Sequence, residues 1–217
     1  PADAQSSIGV AKVDNKEEYM AALKKAIDLS KNKSAIVEEF FKGKELVAEG
    51  FIYKGKYYNL GFADRKYFVL NNMFIPSQTI FPSLVPQSVL EKIEQCESKM
   101  AEYIKPSFAI VHSEYLYNPE TNEIRVVESA LRGGGVYISS HLVPLYSGID
   151  INDTLIDCIV GNDVDMEKVM SERNNKAAGY VCFYLPGGTV CKADGMEGGQ
   201  MQELLKTISR SEERFSR

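Results

Sequence analysis

The sequence predicts an α+β fold built around an antiparallel sheet. Helical and strand-like periodicities alternate along the 217 residues, and several strand-like runs come in pairs joined by short turn sequences. The chain is 44% hydrophobic and 25% charged, which is typical of a globular protein with a sizeable core. Hairpins accompanied by helices therefore form the expected architecture.

Composition and charge limit the classes of function. No window approaches the roughly 18 apolar residues of a membrane span, and the first residues do not resemble a signal peptide, so we expect a cytoplasmic protein. The net charge of -5 argues against a nucleic-acid binder. The expected partners are small molecules, with no membrane and no nucleic acid, and a homodimer is an open alternative.

The first part of the chain reads as loop, strand, helix and strand. The stretch "PADAQSSIGVAKV" is a loop of small residues that leads into a short predicted strand, Val10–Val13. Asp14 is the expected cap of a helix over Lys16–Ser30, because Glu17 stands at the capping-box position. The stretch "SAIVEEFF" then reads as a strand that ends in an acidic pair.

A hairpin and a helix follow. The stretch "GKELVAEGFIYKGKYYNLGFADRKYFV" predicts two strands folded at residues 54–56. Within it, a solvated strand end is favoured for Arg65 and Lys66 over a contact with phosphate or an acidic substrate. Residues 76–86, rich in Pro and Ser, predict a loop, and a helix is expected to start at Ser88.

The next hairpin carries the most informative polar residues. The strand-like runs "SFAIVHSEYLY" and "EIRVVES" flank the turn sequence "NPETN". A fold about Thr121 places Glu114 opposite Glu128 and His112 opposite Ala130. Two carboxylates about 5 Å apart on one face repel by roughly 3 kcal/mol at an effective dielectric constant of about 20. A divalent cation between them reverses this repulsion, and Mg²⁺ commonly takes one or two carboxylates in proteins.

The residues after Glu128 fit a phosphate-binding strand end. Val126 and Val127 predict a buried strand, and Arg132 supplies a planar fork for phosphate oxygens. Residues 133–135 are glycines, which allow a close approach of the backbone. An equally favoured alternative is that both glutamates are solvated at an exposed sheet end and that the glycines form only a flexible connection.

Four segments in order, between Pro1 and about Asp194, resemble the ATP-grasp superfamily, which includes carbamoyl phosphate synthase large chains, biotin carboxylase and glycinamide ribonucleotide synthetase. The stretch "PADAQSSIGVAKV" is similar to the lid loop that closes over phosphates, and "VEEFFKGKE" is similar to the hinge segment. The stretches "HSE" and "ESALRGGG" are similar to the two strands that carry metal carboxylates. The resemblance implies an ATP-grasp fold with a partial lid subdomain (1–41), a large subdomain (42–194) and a C-terminal tail (195–217).

The resemblance also implies a set of binding residues. Glu114 and Glu128 would hold one or two Mg²⁺ ions, with Mn²⁺ as an alternative, and Arg132 would be the catalytic residue that faces the transferred phosphate. The nucleotide would be bound by lid amides, by the adenine-edge residues of the hinge and by a carboxylate at the ribose: Ser6, Ser7, Gly9, Glu38, Glu39, Phe41 and Glu45.

The implied activity is an ADP-forming ligation. ATP phosphorylates a carboxylate, and an amine or similar nucleophile attacks the resulting acylphosphate. Two departures limit this expectation: Ala130 stands where many members have a metal-binding Asn, and the family's phosphate-binding lysines and leading domain are absent. We therefore expect a fragment that lacks the N-terminal domain and does not turn over alone.

Two alternatives stay open beside the ligase. One is a non-catalytic nucleotide-binding or regulatory module, and the other is a structural domain that keeps the fold. The two histidines do not decide between them. His112 reads either as a partner of Glu114 or as a satisfied histidine on a half-buried strand, and a substrate contact is the less favoured interpretation of His141.

Downstream of the glycines, two helices and a hairpin are expected. The stretches "DINDTLIDCIVG", with a cap near Asn152, and "DVDMEKVMSE" predict the helices. The stretch "GYVCFYLPGGTVCKADG" predicts a hairpin that turns at residues 186–188.

Overall fold

A computed structural model describes residues 1–4, 7–70, 73–174 and 176–182 of the chain. In this part of the chain, six strands form one antiparallel sheet: β1 (Lys44–Tyr53), β2 (Lys56–Leu70), β3 (Met73–Phe81), β4 (Phe108–Asn118), β5 (Glu123–Ala130) and β6 (Ala178–Val181). Their order across the sheet is β5-β4-β1-β2-β3-β6, so β1 lies inside the sheet and β5 forms one edge. The predicted α+β class is confirmed.

The helices of the described residues lie before, between and after the strands. They are α1 (Lys16–Leu29), α2 (Gln87–Ile104), a π-helix (Ile138–Leu142), α3 (Val143–Ser147), α4 (Ile151–Val160) and α5 (Met166–Ser171). None of the described helices is long and apolar enough to cross a membrane.

The helix boundaries match the predictions closely, but the caps differ. The cap of α1 is Asn15, whose side chain accepts a hydrogen bond from the Glu18 backbone N–H at 2.9 Å, so the predicted Asp14 cap is wrong by one residue. Helix α2 begins after Pro86 without a side-chain cap, and α4 is capped by Asp150 rather than near Asn152. Each chain segment offers several cap-type residues, and the approach of the loop decides which one is used.

Two predicted strands are wrong. Residues 10–13 and 34–41 form no strand, although the acidic pair and the β-branched residues favoured one. A strand exists only where another strand completes its hydrogen-bond ladder, and among the described residues neither segment has such a neighbour. A backbone hydrogen bond runs from Ala2 N, near the start of the chain, to Ser34 O, the first residue of the second segment, at 3.1 Å.

The hairpin between β1 and β2 is confirmed. Lys54 and Gly55 form the turn, and both have positive φ angles, of 50° and 77°. Two successive left-handed residues are the requirement of a type I′ turn, whose twist matches that of the flanking strands. Glycine meets this requirement without strain at the second position.

The predicted loop over 76–86 is wrong in its first half, because residues 76–81 belong to β3. Pro76 pairs with Tyr67 next to a bulge in its own strand, where Ser77 is the extra residue. Proline lacks the N–H that an interior ladder requires, and a bulge is one of the few places in a sheet that tolerates it. The Pro and Ser content therefore indicated an irregular strand rather than the absence of one.

The two faces of the sheet are covered by different helices. Leu46 and Ala48 of β1 pack with Val89 and Ile93 of α2. Val47, on the other face, packs in a separate core with residues of α3 and α4. This second face also carries the candidate site.

The C-terminal predictions are only partly covered by the structure. Strand β6 pairs with β3 over four residues, which places the start of the predicted late hairpin in the sheet. The turn at 186–188 and the tail (195–217) lie outside the described residues. The predicted boundary between a lid subdomain and a large subdomain near residue 41 remains a prediction.

Candidate functional site

The pairing of β4 with β5 brings the two predicted metal carboxylates together. Glu114 lies opposite Glu128 and His112 lies opposite Ala130, as predicted. The pairing is not regular along the whole hairpin, as the prediction assumed. Closer to the turn Tyr115 pairs with Val126, which leaves Val127 as the extra residue of a β-bulge. The bulge compensates for a turn that is centred slightly before Thr121.

Strand alternation gathers five charged side chains on one face, here called the charged cluster: Glu45, Glu49, Arg65, His112 and Glu114. Glu45 and Glu49 are four positions apart on β1, and His112 and Glu114 are two positions apart on β4, so each pair faces the same side. Glu49 pairs with His112 across the strands. The cluster lies on the face opposite α2.

Arg65 occupies the centre of this cluster, and the prediction of a solvated strand end is wrong for it. Its side chain is only 7% exposed. Its Nη1 donates to Glu45 Oε1 at 3.0 Å and makes a short ion pair with Glu114. Tyr67 donates a short hydrogen bond to Glu45 from the same strand. Lys66, which points to the other side of β2, is exposed as predicted.

Sequence reasoning missed Arg65 because β2 contains an extra residue, Leu60, in its pairing with β1. Between Glu49 and Gly50 the register against β2 shifts by one residue, which places Arg65 rather than Asp64 opposite Glu45. A regular ladder counted back from the turn would bring Asp64 to this position. The signal that was present in the sequence is the repeat of acidic residues at alternate positions of an otherwise apolar strand.

His112 lies between two carboxylates. Its Nδ1 makes a short contact with Glu49, and its Nε2 lies 3.2 Å from Glu114 Oε1. Burial by itself lowers the pKa of His112, but the hydrogen bonds with Glu114 and Glu49 outweigh it and raise the pKa to about 9. The imidazole is therefore cationic at neutral pH and donates from both ring nitrogens.

The same contacts fix the charge of the carboxylates. Burial raises the pKa of Glu114, but the hydrogen bond from His112 and the charge of Arg65 lower it to about 2. Burial raises the pKa of Glu45, against the opposing hydrogen bond from Tyr67. The carboxylate of Glu114 is therefore ionised at neutral pH.

The glycine run packs directly on the cluster. A Cβ on Gly134 would lie 2.9 Å from His112 Nδ1 and closer still to Glu49. Ser139, in the π-helix, donates a hydrogen bond to Glu49 Oε2 at 3.2 Å, and a Cβ on Gly133 would collide with it. Gly133 and Gly134 are therefore required by close packing against Ser139, Glu49 and His112, a close approach of the backbone of the kind that the sequence analysis expected.

The loop between the glycines and the π-helix is held in an uncommon backbone conformation. Val136 and Tyr137 have positive φ angles, of 51° and 62°. This region is costly for a β-branched residue such as valine. Such strain and π-helical turns both occur preferentially at functional sites.

Glu128 and Arg132 lie on the open side of the cluster. Their side chains are 54% and 56% exposed, and Arg132 Nη2 lies 3.6 Å from Glu128 Oε1. Val126 and Val127 are also about half exposed, so the prediction of a buried strand is wrong here. The reason is that β5 is the edge of the sheet.

The predicted nucleotide residues lie partly outside the charged cluster. Ser7 and Gly9 form a turn with positive φ angles of 56° and 76°, and Ser6 lies outside the described residues. Glu45, another of the predicted nucleotide residues, contacts Arg65 in the cluster.

The hinge segment lies against the edge hairpin. Glu38 and Glu39 are exposed, and their adenine-edge role remains a prediction. Phe41 is half-buried, and the guanidinium of Arg125 on β5 lies 5.5 Å from its ring centroid. Such a cation–π contact is worth about 0.5–1 kcal/mol at an exposed site. The segment that precedes β1 is therefore tethered to the strand that carries Glu128.

His141 has no contact with the cluster among the described residues. It is exposed in the π-helix, where Nδ1 lies 2.8 Å from Ser140 Oγ and the ring stands edge-on to Tyr137. A cavity of about 680 Å³ is also remote, because Tyr53 and Phe108, which line it, stand at the opposite strand ends from Glu45 and Glu114.

The residues present fit a hard divalent cation. Glu114 and Glu128 offer carboxylate oxygens from neighbouring strands, the donor type that Mg²⁺ selects, with water and phosphate completing the ion's shell. Within the described ranges no group of three or more His, Cys, Asp or Glu side chains is arranged as a metal site. A site with two protein ligands is compatible with that finding.

Comparison with known proteins gives one family model and several solved structures. The model of the D-ala D-ala ligase C-terminus matches residues 1–61. No curated protein sequence matches the chain.

Three solved structures are similar to most of the chain. The L-amino acid ligase from Bacillus licheniformis has a TM-score of 0.70 at 22% identity, over 82% of this chain and 45% of that protein. Biotin carboxylase from Campylobacter jejuni has a TM-score of 0.67 at 14% identity, over 82% and 39%. The biotin carboxylase domain of 2-oxoglutarate carboxylase from Hydrogenobacter thermophilus has a TM-score of 0.62 at 17% identity, over 80% and 41%.

These similarities concern the fold. They confirm the architecture and the resemblance that the four sequence segments indicated. The chain spans less than half the length of the three proteins it matches.

Proposed function

We propose a function for this chain from the ATP-grasp fold that it has. The chain contributes the ATP- and metal-binding part of an ADP-forming ligase, which activates a carboxylate as an acylphosphate for attack by an amine or similar nucleophile. Its lid comprises residues 1–41, its large subdomain residues 42–194 and its tail residues 195–217. The partners are a small carboxylic acid and an amine-type acceptor, and the location is the cytoplasm.

The observation that carries the proposal is the position of Glu114 opposite Glu128, with Arg132 on the open side of the pair. Two carboxylates and a cation at a sheet end suit phosphoryl transfer, which requires positioning and charge neutralisation rather than a protein nucleophile. An exposed edge strand leaves room for a large anionic substrate on that side.

Each residue then has a defined task. Glu114 and Glu128 hold one or two Mg²⁺ ions or Mn²⁺, which supply positive charge to the phosphates when bound. Arg132 places its guanidinium against the transferred phosphate. An oxygen of the substrate carboxylate attacks the γ-phosphorus while the bond to the β,γ-bridging oxygen breaks, and ADP leaves with that oxygen. The amine next attacks the acyl carbon and releases inorganic phosphate.

The nucleotide is held by the segments on either side of α1. The backbone amides of Ser6, Ser7 and Gly9 close over the phosphates. The adenine is contacted by Glu38, Glu39 and the backbone of Phe41, and the ribose is bound by Glu45. Two of the similar structures support a nucleotide here: the Campylobacter jejuni protein is a β,γ-ATP complex, and the Hydrogenobacter thermophilus domain dimer holds MgADP.

Nucleotide binding tests the proposal on the chain itself. A ligand at 100 times its dissociation constant adds about 2.7 kcal/mol to the free energy of unfolding. We expect Mg-ATP to raise the melting temperature of the wild type, and Glu128→Gln to abolish this metal-dependent rise. Glu123→Gln is the matched control, because it removes the same charge from the same edge strand near the turn, and it should behave like wild type. Unchanged Mg-ATP affinity in Glu128→Gln would contradict the metal assignment.

A second candidate is a nucleotide-binding module without catalysis. It is favoured by Ala130, which offers no ligand oxygen opposite His112, and by the ion pairs that already engage Glu114. Turnover separates the two candidates and is measured with the whole protein. ADP release that depends on both an acid and an amine supports the ligase, and a thermal shift without ADP release across candidate acids supports the module. Absence of any shift supports a structural domain.

A further inference from the structure

Arg65 lies between two carboxylates that need a cationic partner when no metal ion is bound. A single nitrogen, Nη1, contacts Oε1 of Glu45 and Oε1 of Glu114. The guanidinium therefore lies between two carboxylates from different strands, which is the arrangement that a bridging metal ion adopts. The side chains of all three residues are at most 17% exposed, so water screens these charges poorly.

The charge balance of the cluster depends on Arg65. The three carboxylates of Glu45, Glu49 and Glu114 face two cations, Arg65 and the imidazolium of His112. Without Arg65, Glu45 would lose its ion-pair partner and Glu114 would keep only the His112 ring, which leaves acidic groups poorly compensated on a buried face and favours cation uptake.

We propose that Arg65 is a built-in counter-ion, which neutralises Glu114 in the ligand-free protein and has to release it before a divalent cation binds. This inference rests on the proposed function, since it takes Glu114 as a metal ligand. Arg65 Nη1 and His112 Nε2 both lie at Glu114 Oε1, so a divalent cation at this oxygen would meet the charge of Arg65 at contact distance and be repelled by it. Metal binding at this oxygen therefore competes with the Arg65 ion pair.

The surroundings of Arg65 permit this exchange. Glu45 remains as a partner when Glu114 is withdrawn, so the guanidinium is not left as an isolated buried charge. Its Nε is buried and has no hydrogen-bond partner among the described residues, an unsatisfied donor that a phosphate oxygen would suit. A guanidinium has five donors, and loss of one acceptor therefore leaves others in use.

The consequence is a requirement for joint binding of metal and nucleotide. A divalent cation alone has to displace Arg65 from Glu114, so its binding is accompanied by only a small gain in free energy. A metal–nucleotide complex offers the displaced guanidinium new phosphate acceptors, so binding becomes favourable. The chain would thus discriminate against free Mg²⁺.

Arg65→Gln tests this inference with metal alone. We expect Mn²⁺, followed by electron paramagnetic resonance without nucleotide, to bind Arg65→Gln about ten- to hundred-fold more tightly than the wild type, the range expected for removal of a nearby buried charge. In the chelator EDTA the variant should melt below the wild type, and Mg²⁺ alone should close most of that gap. Lys66→Gln is the matched control, because it removes one charge from the neighbouring exposed position and should not change Mn²⁺ affinity.

Two further measurements keep the test decisive. Arg65→Lys retains the charge and should restore weak Mn²⁺ binding, which a loss of packing alone would not explain. If Arg65→Gln is unfolded in EDTA, Mg²⁺ should restore folding, whereas NaCl at the same ionic strength should not. Failure of Mg²⁺ to restore it, or Mn²⁺ affinity equal in Arg65→Gln and Lys66→Gln, would overturn the inference.

The outcome is separable from that of the proposed function. Mg-ATP binding by the wild type together with unchanged Mn²⁺ affinity in Arg65→Gln would contradict the counter-ion role of Arg65 and support the proposed nucleotide site. Tighter Mn²⁺ binding in Arg65→Gln without Mg-ATP binding by the wild type would support the counter-ion role and contradict the proposed nucleotide site.

Discussion

His112 shows how single residues set the properties of the site. Both ring nitrogens face carboxylates, one from β1 and one from its own strand. These contacts hold a positive charge in a buried position, which an isolated imidazole would not keep. The residue is therefore a satisfied histidine and a partner of Glu114 at the same time, and the two interpretations from the sequence are not exclusive.

The raised pKa of His112 predicts a pH-dependent stability. The folded-state pKa is about 9 against an unperturbed value of 6.5, so its contribution is complete below pH 6.5 and is lost as the pH rises through 9. We expect the free energy of unfolding in EDTA to fall by up to about 3 kcal/mol over this range. Chemical denaturation at several pH values measures this fall.

The second histidine of the sequence provides the control for this prediction. His141→Gln, at an exposed position, should keep the fall in stability. His112→Gln should be less stable at pH 6.5 and should lose most of the pH dependence between 6.5 and 9. An undiminished fall in His112→Gln would assign the titration to another group.

At the level of elements, the glycine run and the π-helix act together. Gly134 lies on Glu49 and His112, and Ser139 of the π-helix bonds to Glu49. The cluster on the sheet thereby fixes the loop that begins with Arg132. A disturbance of this packing should reach both the stability of the fold and the position of Arg132.

Alanine substitutions in the glycine run test this connection. Gly134→Ala should lower the free energy of unfolding by about 1–3 kcal/mol, because the added methyl group overpacks the contact with Glu49 and His112. It should also weaken Mg-ATP binding. Gly135→Ala adds a methyl group with nothing within 4 Å and should stay within about 0.5 kcal/mol of wild type. Equal effects at both positions, measured by denaturation and calorimetry, would contradict the packing role.

Bulges decide which side chains meet in the sheet. One irregularity in β2 aligns Arg65 with Glu45, and another in β5 aligns Glu128 with Glu114. Each shifts the pairing by one residue, and a one-residue shift turns a side chain to the other face of a strand. These irregularities leave no clear mark in the local sequence.

On the scale of the whole molecule, the sheet and the leading segments differ in their hydrogen bonding. Strand β1 is paired on both sides along its length. Residues 10–13 and 34–41 have no ladder of their own. Protection against local opening follows buried, paired backbone, so the two regions should differ in amide exchange.

Hydrogen–deuterium exchange tests the proposed lid and hinge. Without ligand, amides of β1 and β4 should exchange slowly and those of 10–13 and 34–41 rapidly. Mg²⁺ with a non-hydrolysable ATP analogue should slow exchange in both leading segments in the wild type but not in Glu128→Gln. Protection confined to other parts of the chain would place the nucleotide elsewhere and contradict the lid and hinge assignments.

The sequence by itself determined the class of fold, most helix positions and the central hairpin. These depend on local information: the periodicity of apolar residues, turn residues such as those at 54–56, and the spacing of "HSE" from "ESALRGGG". The Glu114–Glu128 pair was accessible for the same reason, because a short hairpin ties distant positions to one turn.

The tertiary structure alone decided the surroundings of that pair. Arg65 and Glu49 reach it from other strands, across irregular ladders, and burial then sets their charges. Whether 34–41 forms a strand, and whether Val126 is buried, also depends on which neighbour lies alongside. Pairing between distant segments depends on the assembled sheet, so it cannot be predicted from local strand propensity.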